Sequence, residues 1–286
     1  MKSSSNAKGY CFITPGKGGP DLSFTTRVHA VGCPISSGAD ELRRRHDRAP
    51  ESAAQLGRRV LERLGGRYSL ALGIDVDRGD EEIERWALAA TLFGNRISAD
   101  IAGRTYLALA RAGVKTIGDA GSRSWDELVA LLDAGGYTRY DFRTATRLLD
   151  LAAALRAAGD GVGAIGRALC APEELETALD ALPGWGPVTV RLFLRELRGV
   201  WPGAQPPPDP RALDAATHLG LVPAPRSPGD GLAGLRRVAA EAELDLRDLE
   251  AALVRLTLAH RADFAGCAGG GACGALGHDR DRVSKH

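Results

Sequence analysis

Leu182-Pro183-Gly184-Trp185-Gly186-Pro187-Val188-Thr189-Val190 lies between two stretches of helical pattern, PEELETALDAL (172–182) before it and VTVRLFLRELRGVW (188–201) overlapping its end. Two glycines separated by one residue let the backbone turn through positive φ and approach another surface with no Cβ in the way. Pro187 suits the first turn of the second helix, where a missing N–H costs nothing. The free amides at that helix start point outward and suit a phosphate, and Arg191, Arg195 and Arg198 add positive charge nearby. The same stretch also reads as a plain αα-hairpin turn with no ligand. Val188, Thr189 and Val190 are strand-like in type, yet Leu192, Leu194 and Leu197 set among the three arginines fit the helical period better.

Outward from the turn the pattern stays helical. SAAQLGRRVLERLGG (52–66) spaces Leu56, Val60, Leu61 and Leu64 on one face and stops at Gly65-Gly66. EEIERWALAATLFGNR (81–96) puts Ile83, Trp86, Ala87 and Ala90 on one stripe behind an acidic first turn that favours the helix dipole. SADIAGRTYLALARAG, SWDELVALLDAG and RYDFRTATRLLDLAAALRAAG follow, each closed by a glycine. After the composition break WPGAQPPPDP (201–210), helical signals resume in ALDAATHLG, GLAGLRRVAAEAEL and DLRDLEAALVRLTLAHRADF, before the glycine-rich end 266–286. No period of 20–50 residues repeats, which excludes a solenoid. The expected fold is all-α, of about ten helices.

Composition excludes several classes. The 286 residues are 44% hydrophobic and 26% charged, with no stretch near the roughly 20 apolar residues of a membrane span. The opening MKSSSNAKGYCFITPGKGGPD has lysines without an apolar run behind them, unlike a signal peptide, and its GKGGP lacks phosphate-loop spacing. Five irregularly spaced cysteines (Cys11, Cys33, Cys170, Cys267, Cys273) make no disulfide framework and fit a reducing cytoplasm. Formal charge is +1, but residues 1–48 carry eight Lys/Arg against four Asp/Glu, leaving −3 for the rest. That basic, Ser/Gly/Pro-rich segment reads as a disordered extension, either bland or a loose nucleic-acid-binding arm.

LPGWGPVT (182–189) resembles the helix-hairpin-helix signature LPGxGxxTA of the endonuclease III-like DNA glycosylases, the helix-hairpin-helix/Gly-Pro-Asp superfamily of base-excision repair. Asp209 after Pro206-Pro207-Pro208, and the following His218-Leu219-Gly220-Leu221, stand at the register that family shows. More weakly, ATLFGNRISADIAGRTY matches its LLSAQTxDxxVNxA segment, and GGYTRYDFRTATRLL its GxYxxKAxxI segment. The resemblance covers about residues 70–267. It implies two helical lobes with a cleft between them: a central lobe over 82–200, a second over 49–81 plus 201–266, and a flexible tail over 267–286.

The resemblance further implies a monomeric protein acting on double-stranded DNA in the cytoplasm, at the nucleoid, with no membrane partner. Asp209 would be the catalytic carboxylate, placed near the anomeric carbon to stabilise an oxocarbenium-like sugar. Its other reading is a helix N-cap before Pro210, and Asp214 is the fallback carboxylate. Gly184, Trp185, Gly186, Val188, Thr189, Arg191, Arg139, Asn95 and Arg96 would contact DNA. Phe93, Tyr137 and Tyr140 would form the base pocket or wedge. Arg143, Arg147 and Arg195 are further candidates for phosphate contacts, although solvated helix faces explain each singly; Phe142 and Trp86 have core-like spacing. Bifunctional relatives place a Schiff-base lysine where this chain has Val188, so the expectation is a monofunctional glycosylase without AP-lyase activity. The family's C-x6-C-x2-C-x5-C cluster motif is represented only by Cys267 and Cys273, so no iron-sulfur cluster and no other cofactor is expected beyond a monovalent cation admitted at the hairpin. A zinc site from these cysteines with His278 and His260 or His286 competes with free thiols in a loose tail, and the latter is the expectation: no metal ligands. The alternative function is a non-catalytic helix-hairpin-helix protein that binds DNA or senses damage. A third is a hairpin that binds another protein.

Overall fold

The computed structural model describes residues 51–277 apart from 160 and 262, so the basic segment 1–48 and both His278 and His286 lie outside the described residues. The described chain is all-α, without a β-strand; Arg198 and Trp201 form one isolated bridge. The helices are α1 (Ala53–Leu64), α2 (Tyr68–Ala71), α3 (Asp80–Phe93), α4 (Ala99–Arg111), α5 (Ile117–Ala120), α6 (Trp125–Ala134), α7 (Asp141–Ala157), α8 (Val162–Ala168), α9 (Pro172–Asp180), α10 (Pro187–Glu196), α11 (Pro210–His218), α12 (Pro228–Ala242) and α13 (Leu246–Ala259). Among the described residues no helix is long and apolar enough to cross a membrane.

Local chemistry sets many of the boundaries. Ser52, Thr116 and Ser124 open α1, α5 and α6 with reciprocal capping boxes to Gln55, Asp119 and Glu127. Gly65 ends α1 at φ +80°, a conformation that costs other residues. Asp80, Glu81 and Glu82 occupy the first turn of α3, where the helix dipole favours negative charge. The strand-like triplet at 188–190 is helical because Pro187 starts the first turn of α10 and its apolar face meets α3.

Two hydrophobic clusters organise the described chain. The first surrounds α3, which is buried from Trp86 to Leu92 rather than on a single stripe, as expected of a helix with neighbours on all sides. Helices α4, α5, α8 and α10 pack on α3, and α6 and α7 complete the layer. The second cluster is built from α1, α11, α12 and α13. Two boundaries differ from the sequence expectation. Tyr68, Ile74 and Val76, expected in the second lobe with the rest of 49–81, belong to the first cluster, because the short 68–78 segment buries those side chains beside α3. At the other end, Cys273 and Leu276 are buried in the second cluster, so 267–277 is packed chain and not a loose tail.

Charged side chains join the clusters where apolar packing gives out. Arg247 donates to both oxygens of Asp77 at 2.8 and 3.0 Å and to the Glu196 carbonyl at 3.1 Å, while Arg67 donates to Asp77 at 2.9 Å and Asp248 at 3.3 Å. The Arg247 hydrogen bond in particular holds the Asp77 carboxyl below its ordinary pKa despite partial burial.

Candidate active site

The tight turn between α9 and α10 needs one glycine, not two. Gly184 sits at φ +79°, and a Cβ there would meet the Arg147 side chain at 3.1 Å. Gly186, the N-cap of α10, is extended at φ −161°, and a Cβ there would meet nothing within 4 Å, so the positive φ expected at both glycines is confined to Gly184. No side chain caps α10, which leaves its first amides without a partner from a capping residue beside the exposed Val188. Trp185 points the other way: it is buried, donates from Nε1 to Thr91 Oγ1 at 2.9 Å and meets Phe193 edge-on at 5.0 Å. The indole expected at the DNA surface is thus the anchor of the turn. Thr189 is also buried and lies so close to Gly94 that a Cβ on that glycine would collide with its side chain. This contact brings the α10 start against the 93–96 turn.

The surrounding loops divide in the same way between core and surface. Phe93 is half-buried and packs edge-on against Tyr68 at 5.3 Å, and Asn95 donates back to the Thr91 carbonyl at 3.3 Å while Arg96 is exposed. Tyr137, expected in the pocket or wedge, is fully buried and donates to the Leu92 carbonyl at 2.7 Å. Burial raises its phenol pKa well above the ordinary range, against a hydrogen bond with Asn95. Tyr140 remains half-exposed, with the guanidinium groups of Arg139 and Arg143 at 5.5 and 5.2 Å from its ring centre. Phe142, whose spacing is core-like but which also stands next to the loops expected to face DNA, is 60% exposed and stacks on Trp125 at 5.4 Å, whereas Trp86 is buried as its spacing requires. Of the arginines following the hairpin, Arg191 stays half-exposed beside Pro207, but Arg195 and Arg198 turn inward, Arg198 onto a buried carboxylate and backbone carbonyls and Arg195 towards Asp209.

Asp209 starts α11 as its N-cap, accepting from the Arg211 amide through Oδ1 at 2.9 Å. Its backbone amide donates to Glu250 Oε1 at 2.9 Å. Glu250 is fully buried and pairs through Oε2 with Arg198, which also donates to the carbonyls of Pro206 and Pro207 at 2.7 and 3.4 Å. The proline-rich loop is thereby gripped by its backbone, and the Asp209 side chain stays 21% exposed. Its Oδ2 lies 3.8 Å from Nη1 of the buried Arg195, whose Nε and Nη2 have no hydrogen-bond partner. The Arg195 guanidinium stands 5.7 Å from the ring centre of Tyr68, and that of Arg255 3.9 Å from it. Burial raises the Tyr68 phenol pKa, the two arginines oppose it, and the Asp209 charge acts on it in the same field. Asp214 is exposed on α11, one turn further from this charged group.

Glu250 and Tyr68 are not among the sequence candidates. Glu250 leaves a signal: an acid beside Leu249 and one turn before Leu253 and Val254, among the apolar positions of its helix. A second set of donors also departs from expectation. Cys267 and Cys273 gather with His260 and with His218, at the end of α11, a histidine outside the expected zinc set, whose His278 and His286 lie outside the described residues. Burial, and then the neighbouring His260, lower the His218 pKa, which favours the neutral imidazole that ligates metals. Two thiolates and two imidazoles do not fit a cluster held by four cysteines. Neither a family model nor a curated protein matches the chain.

Proposed function

We propose that the chain is a DNA glycosylase of the base-excision-repair type, monofunctional, which extrudes a damaged or mispaired base and hydrolyses its N-glycosidic bond with Asp209. The observation that carries this reading is a carboxylate with a fixed backbone and one oxygen outside the cap: Glu250 and Arg198 hold the loop, Oδ1 caps α11, and Oδ2 makes no hydrogen bond, with the Arg195 guanidinium 3.8 Å away and the side chain 21% exposed. As the bond breaks, its electron pair leaves with the base, and the sugar develops positive charge at its anomeric carbon. A carboxylate oxygen facing that carbon stabilises the charge and orients the water that adds there. Arg195 sets a buried positive charge 3.8 Å from the partly buried carboxylate. The uncapped start of α10 next to exposed Val188 supports phosphate binding by backbone amides, and Arg139, Arg96 and half-exposed Arg191 supply cationic side chains within the same set of elements. Val188 has no amine, so no Schiff base forms and strand cleavage does not accompany base release.

The capping bond of Asp209 favours a second reading, a non-catalytic protein that binds DNA or senses damage through the same turn. One experiment separates the two. Duplexes carrying uracil, alkylated, oxidised or mismatched bases are incubated with the protein and then treated with alkali to reveal abasic sites. Base release by the wild type that falls at least about a hundredfold in Asp209→Asn is the expected result. Because Asn caps a helix as well as Asp, stability should change by less than about 0.5 kcal/mol in that variant. Salt-sensitive duplex binding without release of any base supports the second reading, and release undiminished in Asp209→Asn removes Asp209 from the chemistry.

A further inference from the structure

Four metal-ligating side chains converge where α11 and α13 end and the 267–277 segment folds back on them. His218 is the last residue of α11, His260 caps α13, and Cys267 and Cys273 come from the folded-back segment. Their ligand atoms all lie within 4.8 Å of one another, with His260 Nε2 3.1 Å from Cys273 Sγ and 4.0 Å from Cys267 Sγ. Zinc–sulfur bonds of about 2.3 Å and zinc–nitrogen bonds of about 2.0–2.1 Å in a tetrahedron put neighbouring donors roughly 3.3–3.8 Å apart. Donors this close suit one ion, rather than the separate irons to which His and Cys ligands bind in a two-iron cluster.

Three independent features shape the same space. His218 Nε2 is buried and makes no hydrogen bond, a cost that a bound ion removes. Phe264 stacks on the His218 ring at 4.2 Å and lies 5.1 Å from that of His260, fixing both ring planes. Gly269, at φ +69°, brings the chain so near α11 that a Cβ would lie 2.5 Å from the His218 carbonyl.

We propose that His218, His260, Cys267 and Cys273 bind one zinc ion in a closed tetrahedral site that staples residues 267–277 to the ends of α11 and α13. With four protein ligands there is no open position for a substrate, so the ion is structural. It fixes the far end of the helix that begins at Asp209. The site stands on its own donors and does not depend on the glycosylase reading.

The full chain, purified under reducing conditions and exposed to Zn(II) and then to a mild chelator, should retain about one zinc per chain by elemental analysis. Replacing zinc by Co(II) should give the intense visible bands of a tetrahedral ion together with thiolate-to-cobalt charge transfer. The Cys267→Ser/Cys273→Ser double variant should retain less than about a tenth of an equivalent, while Cys170→Ser, at an exposed thiol elsewhere, keeps the full complement. Should the double variant fail to fold, the Co(II) spectrum of the wild type still decides. Weak octahedral bands without thiolate charge transfer, zinc content below about a tenth of an equivalent in the wild type, or full zinc retention in the double variant would overturn the site.

Discussion

The turn at 182–190 and the proline-rich loop at 202–210 flank α10 and its short extension, and they are held in opposite ways. The turn holds itself: Gly184 supplies the one left-handed residue, and the adjacent Trp185 drops into the first cluster onto Thr91. The loop is held from outside, by Arg198 on its carbonyls and by Glu250, from α13, on the Asp209 amide. A self-held turn leaves its neighbouring amides open to a ligand, because its fixed points face inward. A clamped loop can present a charged side chain at the surface, since its backbone geometry does not depend on that side chain. The two arrangements put uncapped helix amides and the Asp209 carboxylate on successive segments of one chain.

The comparison breaks first at Glu250. Glu250→Ala strands the buried Arg198 guanidinium and releases the Asp209 amide at once. Removing one partner of a buried ion pair costs about 3–5 kcal/mol, which urea denaturation should register as a shift of midpoint with little change in slope. A loss below about 1 kcal/mol would mean that the loop stands without its clamp. Gly184→Ala acts on the other segment and more weakly. It forces a Cβ residue to φ +79° against the Arg147 stem, and should cost about 1–2 kcal/mol in the same measurement.

The difference between the segments also explains what can be read in the sequence. All-α architecture, the α3 core and the turn itself are local matters of period, capping and glycine or proline placement, and each is legible. The inward turn of Trp185 is not, because its partner Thr91 lies 94 positions away. Arg195 and Arg198 share the helical face pattern of solvated arginines, and their partners, Asp209 and the Tyr68 ring for Arg195, Glu250 and the Pro206 and Pro207 carbonyls for Arg198, come from other segments. The neighbours of Tyr137 in sequence point to a loop surface, yet the Leu92 carbonyl offers its hydroxyl a partner inside the core. His218 escapes notice as a metal ligand for a like reason. Nothing near it in sequence is a cysteine, and the return of residues 267–277 is what supplies them.

The smallest expected effect sharpens the comparison most. Gly186 sits one residue beyond Trp185, with extended φ and open space around it, so nothing in the fold requires a glycine. Gly186→Ala loses a modest N-cap preference but also restricts the unfolded chain, two contributions of a few tenths of a kcal/mol to about 1 kcal/mol that oppose each other. Stability should therefore stay within about 0.5 kcal/mol of the wild type. Duplex binding gives this variant its force. If the uncapped amides of α10 contact phosphate, the added methyl stands where the DNA backbone must approach, and affinity for a duplex should fall several-fold at constant stability. Gly184→Ala, by contrast, should lower both together. Equal duplex affinity for Gly186→Ala and the wild type would mean that the open space at this position is ordinary solvent, and that the turn is a packing device with no DNA to bind.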